Sequence, residues 1–346
     1  MDATYVDLVR SRCRSAILPE MTQARTDVQI SEAVARLEGV VTRTPIVPFE
    51  VPDERVRLWL KLENQQVTGS FKSRGAWNQV SLLTEEERTR GVIATSSGNH
   101  GKALSWAAER AGVPATIVMP ADAYPNKIAA CREHGAEVVL GETRMLAEEM
   151  CAERVAAGAV LIHPYDAERT LQGAGTVGIE IVEQDPEVEL ILAPVGGGGL
   201  VTGISLAVRQ SLGEKVQVIG VEPEGAPSMS RGLASGAPVP LEEITTKVQG
   251  LCPPSSGAVN IATCLETLNG VLLVRDEDTF AAQAALVRTG EVVEPAGAAT
   301  TALVLSGGLP EALLEGRSAA DPLRVVAVVS GGNPDPAQLE AIRAQA

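Results

Sequence analysis

Short runs of β-branched and aliphatic residues alternate with amphipathic stretches from Val92 onward, the pattern of strands feeding helices in a parallel sheet. A first series predicts strands at 92–95, 115–119, 136–140 and 160–163, with helices over 102–110 and 145–157 between them. A second series predicts strands at 190–193, 216–221, 271–274 and 324–329, with helices over 200–210 and 277–288. Upstream, 56–63 sets Val56, Leu58, Leu60 and Leu62 against Arg57, Trp59 and Lys61, which reads as an antiparallel or edge strand of the second series. Residues 223–257 are rich in Pro, Gly and Ser without periodicity and read as a functional loop. The first 25 residues mix Arg and Asp with scattered apolar positions, as in a packed helix or a frayed arm.

The chain has 346 residues, enough for two lobes, and its 45% hydrophobic and 21% charged composition is that of a protein with a real core. Forty-four acidic against 29 basic residues give a formal charge of -15, a field that repels nucleic acid and anionic membranes and favours a small-molecule partner. An anionic ligand must then be held by local geometry. Cys13, Cys131, Cys151, Cys252 and Cys264 are odd in number and lack zinc or redox spacing, so they are expected to pack as ordinary side chains. No stretch approaches the ~20 apolar residues of a membrane span, and the N-terminus lacks the apolar run of a signal peptide, so a cytoplasmic setting is expected.

Four segments end predicted strands in Ser or Gly, at the edge where open α/β sheets bind ligands. Thr68-Gly69-Ser70-Phe71-Lys72-Ser73-Arg74-Gly75-Ala76 places a lysine between a turn and a helix start; it is either a surface charge or, if buried, a nucleophilic amine. Thr95-Ser96-Ser97-Gly98-Asn99-His100-Gly101 offers hydroxyls and amides to an anion, although Ser96 or Ser97 also suits a plain helix cap. Pro194-Val195-Gly196-Gly197-Gly198-Gly199-Leu200 brings backbone amides together at a helix N-terminus, a phosphate cradle rather than a spaced dinucleotide motif. Val328-Val329-Ser330-Gly331-Gly332-Asn333 ends the last strand with a hydroxyl at the sheet edge.

Together with Glu294-Pro295-Ala296-Gly297, these segments resemble, in order and approximate spacing over 30–334, the serine/threonine dehydratase and serine racemase family, tryptophan-synthase-β-like pyridoxal-phosphate enzymes of fold type II. The resemblance implies an α/β protein of two lobes, each an open, mostly parallel sheet flanked by helices, with the cofactor in the cleft between them. The large lobe would comprise 1–84 with 164–346 and the small lobe 85–163. It implies pyridoxal 5'-phosphate bound to Lys72 as a Schiff base, Phe71 beside the ring, Asn99 on the ring oxygen, Gly196, Gly197, Gly198 and Gly199 around the phosphate, and Ser330 at the pyridine nitrogen. Ser96, Ser97, Gly98, Asn99 and His100 would take the substrate carboxylate. A neutral hydroxyl at the ring nitrogen weakens the electron sink and favours prompt β-elimination.

The implied activity is dehydration and deamination of a small β-hydroxy amino acid such as L-threonine or L-serine to a 2-oxo acid and ammonia. A racemase with elimination as side reaction is the alternative, because Ser97 matches the second acid/base of racemases in this family. A cofactor-retaining amino-acid sensor is a third reading. β-Replacement is disfavoured by Ser-Phe-Lys where those enzymes commonly have Ser-Val-Lys. A homodimer or homotetramer is the expected assembly, with no regulatory module after Asn333. The sequence also departs from the family. Glu222 and the Ala226 carbonyl match the divalent-cation site of relatives, but Ser228 stands where an Asp is usual and is a weaker ligand for a hard cation. Val248-Gln249-Gly250 replaces an Ala-Asp-Gly segment, which puts substrate choice in doubt. Arg144 falls roughly where hydroxyaspartate-handling relatives keep an arginine; read locally, it is a charge in the first turn of a surface helix.

Overall fold

The computed structural model describes residues 23–345, so the expectations for the N-terminal arm and for Cys13 lie almost wholly outside the described residues. Among the described residues, ten strands form two sheets. The larger contains β1 (Ile46–Phe49), β2 (Val56–Lys61), β7 (Leu190–Pro194), β8 (Gln217–Pro223), β9 (Gly270–Val274) and β10 (Leu323–Val328), in the order β1-β2-β10-β7-β8-β9. The smaller contains β3 (Val92–Thr95), β4 (Ala115–Pro120), β5 (Glu137–Gly141) and β6 (Val160–Leu161), in the order β5-β4-β3-β6. All pairings are parallel except β1 with β2.

The central strands are apolar runs because helices cover both faces of a parallel sheet. Every residue of β7 is buried. One face of the large sheet packs Leu58, Leu60, Leu192, Val325 and Ala327 against the helices Asp276–Arg288 and Pro295–Leu305, and the other packs Ile191, Ala193, Val326 and Val328 against the helices Glu168–Gln184 and Gly199–Leu212. Each fully buried Leu, Ile or Val among them contributes about 1.5–3 kcal/mol. A separate core built on Ala94, Leu104, Ile117 and Met119 serves the small sheet.

Three expectations change. Of the two readings of 56–63 the antiparallel one holds, through its pairing with β1, but the segment is not at the sheet edge: β2 lies between β1 and β10, and the edge strand β1 has no alternating pattern and carries Pro48, which an edge tolerates. Lys61, on the side read as polar, is fully buried. Within 223–257 the chain forms the helix Ser228–Ser235, whose Ser- and Gly-rich composition hides it. Cys131, Cys151 and Cys264 are buried and Cys252 partly so, all as free thiols. Among the described residues no helix is long and apolar enough to cross a membrane.

Candidate active site

Parallel strands expose their carboxyl ends on one edge, and the segments singled out in the sequence leave from that edge. The chain after β2 runs through Glu63–Gln65 to the helix Lys72–Ser81; β7 leads into the glycine turn; β10 leads to Ser330; and β3 of the small sheet leads to 96–101. The segment after β10 folds back on the lysine loop, with the Phe71 amide donating to the Ser330 carbonyl at 3.1 Å and the Gly332 amide to the Gly69 carbonyl at 2.7 Å. Gly69 needs its left-handed φ of 76°, and Asn333 occupies the space a Cβ there would take.

Lys72 opens its helix partly buried, its ammonium 2.7 Å from the Pro164 carbonyl and 5.0 Å from the Phe71 ring centroid. Burial strips water from the amine and pulls its pKa down to about 8, against the opposing pull of the Glu294 carboxylate. Two residues on, Arg74 anchors the same helix. Its fully buried guanidinium reaches Glu63 at 2.8 and 2.7 Å and Glu180 at 2.7 and 3.0 Å. Lys61 completes the cluster, donating to Glu180 at 2.6 Å, to the Thr44 carbonyl at 2.7 Å and to Gln184 at 2.8 Å. Two cations facing two carboxylates satisfy the condition under which buried charge is tolerated. Sequence reading missed this cluster; its signal was a run of charges at Lys61, Glu63 and Arg74 around otherwise apolar positions.

The glycine turn has its carbonyls secured on one side. The Gly197 carbonyl accepts from Asn260 Nδ2 at 2.7 Å and from the Gly257 amide at 3.0 Å, and the Gly196 carbonyl from Ser256 Oγ at 3.4 Å. The amides of Gly196, Gly197 and Gly198 have no acceptor among the described residues and lie at the start of the helix Gly199–Leu212, where the dipole favours an anion. Gly198 has φ 99°, and a Cβ on Gly197 would fall 2.2 Å from Tyr165 Cγ. Tyr165 and Asp166, which went unread, brace the turn: Asp166 accepts from the amides of Ala258 and Val259, both at 3.0 Å, and so caps the helix that carries Asn260.

In the 96–101 segment the roles divide. Ser96 Oγ accepts from the amides of Gly98 at 3.3 Å and Gly101 at 3.1 Å, and so satisfies the start of a helix whose N-cap is Gly98. The Ser97 side chain is exposed. His100 turns inward, its Nε2 2.8 Å from the Ile162 carbonyl, which requires that nitrogen to carry the proton. Burial, with the Lys72 charge adding to it, lowers the His100 pKa to about 3, so the ring is neutral and only its backbone can meet a carboxylate. Asn99 Nδ2 donates to Glu294 Oε1 at 2.5 Å, and its Oδ1 accepts from Asn333 at 2.8 Å. Glu294 is buried, which raises its pKa, with Lys127 and Asn99 opposing. Ser330 is buried, its hydroxyl donating over 3.4 Å to the Ala296 carbonyl.

Two readings do not join the site. Glu222 is buried and committed to the helix Ser228–Ser235, accepting from the amides of Met229 at 3.0 Å and Ser230 at 2.7 Å and from Ser230 Oγ at 2.6 Å. Among the described residues no group of three His, Cys, Asp or Glu is placed to hold a metal ion. The anchoring of a helix N-terminus accounts for Glu222. Arg144 begins the exposed helix Arg144–Ala156 and pairs with Glu148 at 3.3 Å, the local reading of that residue.

A partly buried amine of lowered pKa beside unpaired amides at a helix start fits an aldehyde cofactor bearing a phosphate, and the family model for pyridoxal-phosphate dependent enzymes matches residues 37–331. The chain belongs to that family. Within it the chain sits among the threonine dehydratases and serine racemases. It is 38% identical over 311 residues to an L-threonine ammonia-lyase of Thermotoga maritima, covering 88% of this chain and 75% of that one. It is 35% identical over 315 residues to a catabolic L-threonine dehydratase of Staphylococcus aureus, covering 88% of each. Maize serine racemase superposes with a TM-score of 0.82 at 30% identity, over 94% of this chain and 98% of that structure. The cofactor of this pyridoxal-phosphate enzyme is thereby established, and so is the two-sheet α/β architecture expected from the sequence.

Proposed function

We propose that this pyridoxal-phosphate enzyme is an ammonia-lyase that removes water and then ammonia from a small β-hydroxy amino acid such as L-threonine or L-serine, leaving a 2-oxo acid. The observation that carries the reading is the Lys72 amine, brought near neutrality by burial and set at the meeting of four strand ends, in a chain 35–38% identical to threonine dehydratases. In this reading Lys72 holds the cofactor covalently with Phe71 beside it, the amides of Gly196 to Gly199 hold its phosphate, Asn99 its ring oxygen and Ser330 its ring nitrogen. The bound cofactor supplies an electron sink for the pair left on Cα when its proton departs.

The protein's own groups do the rest. The Lys72 amine, when free, would be neutral enough near pH 8 to take the Cα proton as a general base. The amides of the 96–101 segment, held by Ser96, and the exposed Ser97 hydroxyl receive the substrate carboxylate. The β-hydroxyl leaves as water by taking up one proton, which balances the one Lys72 removes from Cα, and the released enamine hydrolyses to the 2-oxo acid and ammonia. Ser330, a neutral hydroxyl, cannot hold a proton on the ring nitrogen as a carboxylate does, which favours rapid loss of a β-leaving group. The same proposal takes 1–84 with 164–346 as the cofactor-binding lobe and 85–163 as the small lobe, in a cytoplasmic homodimer or homotetramer.

Racemisation is the second reading, favoured by the exposed Ser97 hydroxyl and by the likeness to maize serine racemase. A panel of β-hydroxy amino acids assayed for 2-oxo acid release, with chiral analysis of the recovered substrate, tests both. Release of 2-oxo acid from L-threonine or L-serine with retained configuration supports the lyase. Inversion without 2-oxo acid overturns it.

A further inference from the structure

Asn333 is gripped from across the cleft by two ammonium groups. Lys102, in the helix after β3, donates to Asn333 Oδ1 at 3.0 Å, and Lys127, in the helix Pro125–Glu133 after β4, donates to the Asn333 carbonyl at 2.7 Å. Both lysines belong to chain flanking the small sheet, and Asn333 follows the last strand of the large one. An ammonium has donors only, so the end of the Asn333 amide that faces Lys102 must be oxygen. Its nitrogen is thereby directed to the Thr68 carbonyl at 3.0 Å and to Asn99 Oδ1 at 2.8 Å, which uses both of its hydrogens. The oxygen end of Asn99 is spoken for in turn. Its Nδ2 gives one hydrogen to Glu294 at 2.5 Å and keeps one for a second acceptor. A cation at one end and a carboxylate at the other thus fix the direction of both amides, and each bond in such a chain polarises the next.

We propose that Lys102 is a positioning residue for the cofactor's ring oxygen, acting through Asn333 to make Asn99 present an N–H rather than a carbonyl. This rests on the reading that Asn99 meets that oxygen. Lys102 itself is half-buried and its hydrogen bond is to Asn333; its charge also acts on Glu294 through space, and the double-variant cycle with Asn333 separates the two routes. Without the ammonium, Asn333 Oδ1 loses its donor and Asn99 loses the tether on its own oxygen.

The test uses the full-length holoenzyme and Lys102→Met, which keeps most of the apolar stem. The expected result is a cofactor dissociation constant raised about tenfold, equivalent to 1.4 kcal/mol and of the order of one charge-assisted hydrogen bond. The absorbance should shift from the visible band of the Schiff base toward its near-ultraviolet tautomer, in which the ring oxygen holds the proton, and kcat should fall more than KM rises. Lys102→Gln, which can still donate to Asn333, should restore most of the spectrum and affinity. In a double-variant cycle with Asn333→Ala, the pair should be no worse than Asn333→Ala alone. An unchanged spectrum and affinity in Lys102→Met, or additive losses in the cycle, would overturn the proposal; Lys102→Ala is read the same way if Lys102→Met is insoluble. Wild-type protein without the Schiff-base absorbance sinks the parent reading instead, so the two failures are told apart.

Discussion

The lysine proposed to bind the cofactor should weaken the protein that carries it. Lys72 has its pKa drawn from the ordinary 10.5 to about 8 by burial, so the folded chain holds this proton less tightly than the unfolded one. The shift corresponds to roughly 3 kcal/mol at about 1.4 kcal/mol per unit. Because Lys72 is only partly buried, solvent screening reduces this to about 2 kcal/mol, and the lost bond to the Pro164 carbonyl removes about 0.5–1 kcal/mol of the gain from any substitution. The cost of the lysine is fully present below pH 8, where it is protonated folded and unfolded. It fades between about 8 and 10.5 and is absent above. Cofactor-free Lys72→Met should therefore be more stable than cofactor-free wild type by about 1–2 kcal/mol at pH 7 and no more stable at pH 10.5. Urea titrations of both proteins at the two pH values measure this directly. A variant that is less stable at pH 7, or a difference that does not change with pH, would refute the account of Lys72 as a desolvated amine.

Three further outcomes are expected. Arg74→Met leaves Glu63 and Glu180 facing each other with only Lys61 between them, and should cost about 3–5 kcal/mol in denaturant unfolding, far more than an exposed arginine such as Arg144 would cost. Gly197→Ala drives a Cβ into the Tyr165 ring and displaces the free amides, so titration of the cofactor-free protein with pyridoxal phosphate should show affinity reduced tenfold or more; unchanged affinity would remove the phosphate from this turn. His100 is neutral when folded, with a pKa near 3, so the folded state binds fewer protons below pH 6.5; its contribution to stability is intact above 6.5 and is lost as pH falls. His100→Gln should accordingly flatten the acid limb of the stability profile by up to about 1.4 kcal/mol per pH unit, measured as the difference between variant and wild type from pH 6.5 to 4.5.

Hydrophobic period and turn chemistry are local properties, and they were enough to locate β3 to β10 to within a few residues and to mark the glycine turn, Lys72 and Ser330 at strand ends. Such marks exist because a parallel sheet requires apolar strands and a tight turn requires glycine wherever in space the element lies. The remaining features depended on which distant residues met. Lys61 fell on the polar side of an alternating strand because its partner Glu180 is 119 positions away, and Arg74 drew no reading of its own because its two carboxylates lie on different elements. Asn99 and Glu294 are 195 residues apart, and Lys102 and Asn333 are 231 apart, so the polarity of the amide chain across the cleft is decided only once the two sheets are placed together. Glu222 also takes its partners from the fold: its carboxylate accepts from the amides of Met229 and Ser230 at the start of a helix that the sequence hid. A charged side chain takes its function from whatever neutralises it, and that partner is chosen by the fold rather than by its neighbours along the chain.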